Sequence, residues 1–214
     1  IRLMKKLSKI LVGLLALATV SPLFSAQKAE PEFKPYVSLK GGVLMPQSVY
    51  WGPNKQEFKL GGSYSLAMGV QWDEWRFEVE GTHKHSDIKD LSGLEPYAPK
   101  MSAPGALFNV YYDYKLTEEW TWYTGMGVGF LVALVRKDLN AAGEHLERVG
   151  KMVFAAQVMT GVEYAMNEKV SWTFGYKLIP PTRLEYGSIA AVNRTYGGKS
   201  PMMHIFELGV RYNF

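Results

Sequence analysis

From Val37 to Phe214, apolar side chains recur at every second residue in eight separate runs, and this period constrains the fold more than any other feature of the chain. A β-strand turns successive side chains to opposite faces, so period two predicts strands with one apolar and one polar face. The first run sets Val37, Leu39, Val43 and Met45 against Ser38, Lys40 and Gly42. The third sets Trp75, Phe77 and Val79 against Arg76, Glu78 and Glu80, and the fifth sets Trp120, Trp122, Met126, Val128 and Phe130 against Tyr123, Gly125, Gly127 and Gly129. The eighth sets Phe206, Leu208, Val210, Tyr212 and Phe214 against Glu207, Gly209, Arg211 and Asn213. Runs of the same kind open near Tyr64, Phe108, Phe154 and Val170.

The connections alternate as well. Asp73-Glu74, Thr117–Glu119 and Asn167–Lys169 read as tight polar turns, whereas 46–60, 83–103, 131–150 and 179–201 read as long loops. Short turns at one end and long loops at the other characterise a membrane-spanning antiparallel barrel. A soluble sandwich or lipocalin-like barrel also alternates, so the question is which face is the outside. The polar series is rich in Gly, Ser, Ala and Thr, while the apolar series is bulky and aromatic. An eight-stranded barrel has little interior room, so the small residues fit inside and the bulky ones fit outside, against lipid.

The tryptophans point the same way. Of six, Trp72, Trp75, Trp120, Trp122 and Trp172 lie beside the short turns in the apolar series. Indole rings are favoured at the headgroup boundary, and a dry core gives no reason to collect them at one end. The reading is therefore an all-β fold: an eight-stranded antiparallel up-and-down transmembrane barrel with a periplasmic aromatic girdle. The inward series then carries Lys40, Arg76, Lys177 and Arg211 with Glu78, Glu80, Asp113, Glu163 and Glu207. Four cations and five anions in a narrow lumen predict a salt-bridge network, because an unpaired buried ion costs several kcal/mol.

Residues 1–26 read as a signal peptide: Arg2, Lys5, Lys6 and Lys9 precede the apolar run 10–20, and Ser25 and Ala26 are small. That run is too short to span a bilayer as a helix. Residues 27–35 read as a periplasmic lead-in and 36–214 as the barrel. The leader carries the whole excess of the 24 Lys+Arg over the 20 Asp+Glu, so the mature part is balanced and the basicity does not indicate a nucleic-acid partner.

Chemistry is sparse. His83, His85 and Asp87 share one face of an extended segment, but a solvated loop base explains them better than a metal site. Ser86 with His83 is the nearest approach to a nucleophile and base. The alternate glycines at 125, 127 and 129 lie on a strand, where they flatten the inner wall, and are not a nucleotide loop. No catalytic, cofactor-binding or metal-binding group is expected, and the chain is not read as an enzyme.

The stretch Tyr123-Thr124-Gly125-Met126-Gly127-Val128-Gly129-Phe130, the stretch Gly161-Val162-Glu163-Tyr164 and the terminal nonapeptide Phe206–Phe214 resemble the small outer-membrane barrels of the OmpA-like and OmpX-like kind, also described as opacity-type or porin-family proteins. The last stretch resembles the assembly signal of that group, with Glu207, Gly209, Tyr212 and Phe214 in its defining places. The resemblance implies the bacterial outer membrane, with both termini periplasmic, and outer-membrane lipid including lipopolysaccharide as surroundings. It further implies recognition by the outer-membrane assembly machinery and a monomeric state. The expected role is structural and surface-interacting, for envelope integrity or adhesion to a host or surface ligand through the loops. A narrow channel for small or apolar solutes is the alternative, and an envelope lipid-modifying enzyme a more distant one.

Deleting Phe214 is expected to lower the amount of folded protein in the outer membrane, because the terminal aromatic edge is what the assembly barrel would pair with. The fraction resisting unfolding in unboiled gel samples measures it, and an unchanged yield would refute the signal.

Overall fold

The computed structural model describes residues 33–51, 54–87, 100–136, 148–181, 183–185 and 197–214. All of these lie within one unit, Glu32–Phe214. The leader and most of the lead-in, 1–32, lie outside the described residues.

Eight strands form a closed barrel. They are β1 Phe33–Pro46, β2 Gly61–Trp72, β3 Trp75–Asp87, β4 Lys100–Lys115, β5 Trp120–Arg136, β6 Arg148–Ala165, β7 Val170–Ile179 and β8 Met203–Asn213. Each pairs antiparallel with its neighbours in sequence, and β1 closes the ring against β8. β1 begins inside the stretch read as lead-in, with Phe33 opposite Trp72. Two short ribbons extend the long-loop end: Val49–Trp51 with Asn54–Gln56, and Arg183–Glu185 with Gly197–Lys199.

The short turns are built by local polar side chains. Asp73, at φ 59°, takes the left-handed conformation that Asp tolerates better than most residues. Thr117 Oγ1 accepts from the amides of Glu119 and Trp120 at 3.3 and 3.0 Å. Asn167 Oδ1 plays the same part for Lys169 and Val170, both at 2.9 Å. The two turns share one plan, since Leu116 donates to Trp120 O and Met166 to Val170 O, each at 2.9 Å.

Two connections are shorter than their sequence suggests. β3 runs on to Asp87 and β4 starts at Lys100; β5 runs to Arg136 and β6 starts at Arg148. The alternation fades there for two reasons. His83-Lys84-His85-Ser86 is polar on both faces, and Leu131–Val135 is apolar on both. Pro104 reads as a strand break because it has no N–H, yet it pairs with His83 inside the sheet.

The pairings also fix the stagger. Followed from Lys84 through Ser63, Gly42, Glu207, Gly175, Gly161, Tyr123 and Asp113, they return to β3 at Glu74, ten residues below the start. Eight strands with this stagger tilt by about 40° and enclose a radius of about 8 Å, with strands about 4.8 Å apart and a rise of about 3.3 Å per residue. Each residue then adds about 2.5 Å of height along the barrel axis.

The apolar series faces out. Leu39, Leu66, Met68, Val79, Phe108, Met126, Phe154, Phe174 and Phe206 are exposed, while their polar alternates Ser38, Lys40, Ser65, Glu78, Glu80, Asn109, Gln157 and Thr173 are buried. A folded chain whose apolar side chains cover its outside, and whose charges line its inside, is stable only with lipid around it. Leu66 lies near mid-height of this belt. Leu66→Arg is expected to lower folding stability by about 2–4 kcal/mol in vesicles, by urea titration, because it carries a cation to the bilayer midplane. The same change at exposed Leu116, beside a short turn, is expected to cost less than about 1 kcal/mol.

Candidate functional site

The inward residues form stacked tiers of charge. Nearest the short turns, Arg76 Nη2 lies 2.8 Å from Asp113 Oδ1 and Arg76 Nη1 lies 3.4 Å from Glu163 Oε2. Arg211 Nη2 lies 2.6 Å from Glu163 Oε1. Tyrosine rings wrap these guanidiniums: Arg76 sits 4.9 Å from the Tyr111 ring centre and 5.0 Å from that of Tyr123, and Arg211 sits 5.2 Å from that of Tyr36.

Above them Glu78 gathers donors from two further strands. Lys40 Nζ is at 2.9 Å, Tyr111 Oη at 3.1 Å, Asn109 Nδ2 at 3.1 Å, Tyr36 Oη at 3.2 Å and Ser38 Oγ at 3.4 Å. Next, Lys177 Nζ bridges Glu80 Oε1 at 2.8 Å and Glu207 Oε2 at 3.1 Å. Asn109 Nδ2 also donates to Glu80 Oε2 at 2.7 Å, and Gln157 Nε2 donates to Asn109 Oδ1 at 2.8 Å. The structure thus brings all nine charged residues expected in the lumen into one connected set of ion pairs, hydrogen bonds and cation–ring contacts.

A tenth charge belongs with them. Lys84 is 1% exposed, its Nζ donates to Thr82 Oγ1 at 2.8 Å, and the nearby carboxylates acting on it are those of Glu80 and Glu207. The sequence pattern alone assigns Lys84 to a loop. The signal that finds it is continuation of the inward series Arg76, Glu78, Glu80, Thr82 by two more residues. With Lys84 the buried inward charges among the described residues come to five cations and five anions, so this set is balanced, which an excess of one anion would not be.

Room for the tiers comes from glycine. A Cβ on Gly125 would meet Tyr111 Cδ1 at 2.6 Å, one on Gly69 would meet Tyr36 Oη at 2.7 Å, and one on Gly175 would meet Tyr123 Oη at 2.6 Å. The flat inner wall is where the tyrosines of neighbouring strands lie down.

Toward the long loops the interior turns apolar. Leu44, Ile179, Met203 and Ile205 pack together with Met101 against them, and Leu107, Leu131 and Ala155 form a second cluster with Val153. Leu44 is four residues beyond Lys40 on β1, and Ile179 two beyond Lys177 on β7, so the first cluster lies on the loop side of those two lysines, whereas Leu107 of the second stands opposite Glu80, level with the charges.

On the outside, Trp72, Trp75, Trp120 and Trp172 are exposed and Trp122 is half-buried. Trp75 meets Tyr112 at 5.0 Å, Tyr114 meets Trp122 at 4.9 Å and Trp120 meets Tyr164 at 4.9 Å, which ties the girdle together across strands. Of the terminal set, Tyr212 and Phe214 point out with ring centres 5.3 Å apart, while Gly209 faces inward opposite Lys40. Glu207 serves the lumen.

The remaining candidates separate. His83 and His85 are exposed on the outer face of β3, whereas Ser86 is buried on the inner face and donates to Lys59 O at 2.7 Å. Strand alternation therefore keeps Ser86 and His83 apart, and no nucleophile–base pair forms there. Among the described residues no group of three or more His, Cys, Asp or Glu is placed to hold a metal ion.

This geometry has counterparts among solved structures. Neisserial surface protein A matches with a TM-score of 0.55 at 19% identity, over 84% of this chain and 97% of that one. OprG, an outer-membrane protein from Pseudomonas aeruginosa, matches with a TM-score of 0.57 at 15% identity, over 87% and 98%. A major outer membrane protein from Thermus thermophilus matches with a TM-score of 0.51 at 14% identity, over 85% and 99%. No protein-family model matches the chain, nor does any curated protein sequence. The fold is that of the small outer-membrane β-barrels. Within that class the chain is an eight-stranded up-and-down barrel with a charged, filled interior.

Lys177→Met leaves Glu80 and Glu207 buried without their shared cation. It is expected to destabilise the barrel by about 3–5 kcal/mol in guanidinium titration. Adding Glu80→Gln to it is expected to recover part of the loss, and no recovery would show that the pair is not coupled.

Proposed function

We propose that this protein is a structural and surface-interaction barrel of the bacterial outer membrane. Its short turns and both termini face the periplasm, and its long connections face outward. One observation carries the reading: the charged side chains that span the lumen are at most 8% exposed and neutralise one another, and apolar clusters fill the interior beside and above them. Side chains so buried cannot line a water-filled path. What such a scaffold presents to its surroundings is its loops, held on a rigid rim, and loops on rigid scaffolds are where binding function concentrates. The aromatic girdle on the short-turn side and the terminal strand ending at Phe214 support the orientation and the use of the assembly machinery. The barrel is complete in one chain, which supports a monomer surrounded by outer-membrane lipid. A ligand on a host or abiotic surface is the natural partner of the loops.

Two measurements test the proposal. Purified barrel in planar bilayers is expected to show no steady large conductance, and a persistent open channel would favour the solute-path alternative. Replacing residues 137–147 by a short turn is expected to leave the shift between boiled and unboiled gel mobility intact while reducing adhesion of expressing cells to a host-cell or matrix surface. Undiminished adhesion in each of the four loop-trimmed forms would remove the surface-interaction role.

A further inference from the structure

The sequence places His83 and His85 at the base of a loop, and the structure places them instead on a paired strand. β3 runs past both to Asp87 and is held on either side. Tyr64 and Gly62 of β2 stand opposite His83 and His85, and Pro104 and Ser102 of β4 stand opposite the same two. A strand turns every second side chain to one face, so both imidazoles project outward from a backbone that is already fixed. In a loop, ordering that backbone would cost free energy before two rings could meet one ligand.

The rings are arranged as a pair. Their centres are 6.0 Å apart and their planes differ by 22°. The His85 ring also lies against Tyr64, with centres 5.8 Å apart. It lies over Gly62, where an added Cβ would stand 3.0 Å from His85 Nε2, so the missing side chain on β2 gives the ring its place. On the other side Ser102 Oγ stands 2.8 Å from His83 Nε2. With Nε2–H donating to that hydroxyl, His83 Nδ1 keeps its lone pair, and a partner on the far nitrogen is what orients a metal-binding imidazole. Neither His83 Nδ1 nor either nitrogen of His85 has a hydrogen-bond partner among the described residues. His204 differs. It is half-buried on β8, its Nδ1 is 2.7 Å from Tyr176 Oη and its Nε2 is 2.9 Å from Gln47 Nε2, so both of its nitrogens are engaged.

Both rings of the pair are exposed, so dissolved ions reach them. His83 stands eight residues and His85 ten residues up β3 from Trp75, about 20 and 25 Å along the axis. A barrel's apolar belt is about 25 Å tall, which puts the pair at its loop-side edge, where the outer face meets water. Imidazole nitrogen suits copper, nickel and zinc, whereas magnesium and calcium take oxygen ligands. With metal–nitrogen bonds of about 2 Å, two imidazoles on one ion have ring centres about 5 Å apart. Closing the present 6.0 Å to that distance takes small side-chain rotations on an unmoved strand. Two protein ligands leave the other coordination positions to water, so the bound ion is exchangeable.

We infer that His83 and His85 form a two-histidine site for a divalent transition-metal ion, binding Cu(II) ahead of Ni(II) and Zn(II). Gly62 and Tyr64 seat His85, and Ser102 orients His83. The site goes beyond the surface-interaction reading and stands apart from it, because it uses strand residues and none of the loops.

The test uses the full refolded barrel in detergent, without an affinity tag, and three probes: Cu(II), Zn(II) and Mg(II). The site's share of binding is what wild type shows in calorimetric titration and the pair His83→Asn/His85→Asn lacks. It is expected to be one Cu(II) per chain, with weaker Zn(II) binding and no Mg(II) binding. Electron paramagnetic resonance of this Cu(II) is expected to show two coordinated nitrogens. His83→Asn and His85→Asn are each expected to weaken it at least about tenfold, because the second imidazole binds as an intramolecular ligand. Each single variant is expected to leave one coordinated nitrogen. His204→Asn and His145→Asn are expected to change nothing. The shift between boiled and unboiled gel mobility, read for every variant, is expected to persist, since both rings are exposed. Undiminished Cu(II) binding in the double variant, an equal loss in His204→Asn or His145→Asn, or Mg(II) binding as tight as Cu(II) each overturns the site. None of these readouts is conductance or adhesion, so the metal site and the surface-interaction role can fail separately.

Discussion

Lipid offers the backbone no hydrogen bonds, and the rest of this structure follows from that constraint. Every N–H and C=O within the bilayer must find a partner in the chain, so a sheet there has to close on itself. Here closure joins the first strand to the last, with Tyr36 to Pro46 opposite Asn213 to Met203 in unbroken register. The ten-residue stagger fixes the radius, and the radius fixes how much can fit inside. An interior about 8 Å in radius, measured to the backbone, has room for side chains from all eight walls only if some walls contribute none. The glycines on β2, β5, β6 and β7 supply that space, and Tyr36, Tyr111 and Tyr123 occupy it.

Charge inside the barrel is governed by the same shortage of water. Glu78 draws hydrogen bonds from Lys40, Ser38, Tyr36, Asn109 and Tyr111, so its oxygens are satisfied by groups on β1 and β4 as well as by its cation. Lys177 is shared by Glu80 and Glu207, which come from β3 and β8. The Lys177–Glu80 pair joins β7 to β3, four strands apart in the ring, so it crosses the lumen and braces opposite walls. A ring of strands alone resists stretching along its hydrogen bonds but not flattening, and cross-lumen ion pairs resist flattening.

Most of this was legible in the sequence because lipid and lumen impose opposite chemistry on alternate residues. The eight runs, the three short turns and the nine lumen charges all follow from one period-two rule read together with residue size. The rule fails where its cause stops acting. Above the membrane the outer face meets water, so His83-Lys84-His85-Ser86 shows no contrast, and the alternation hides both Lys84 and the true end of β3. Within Leu131–Val135 the inner face belongs to an apolar cluster, so both faces look alike. The tyrosine–glycine exchange was half legible: the glycines announce a flat wall, but which ring lies on which glycine depends on the stagger, which no single strand encodes.

The seam between β1 and β8 has one more implication. Phe214 N donates to Pro35 O at 3.1 Å, so the chain leaves the barrel beside the point where it enters, on the side of the three short turns. The break between the two ends is then topologically a fourth short turn that happens to be open. The barrel is a circle of four hairpins whose starting point is arbitrary as far as its packing is concerned. Nothing in the packing singles out Phe33 and Phe214, since the seam they flank is paired like every other pair of neighbouring strands.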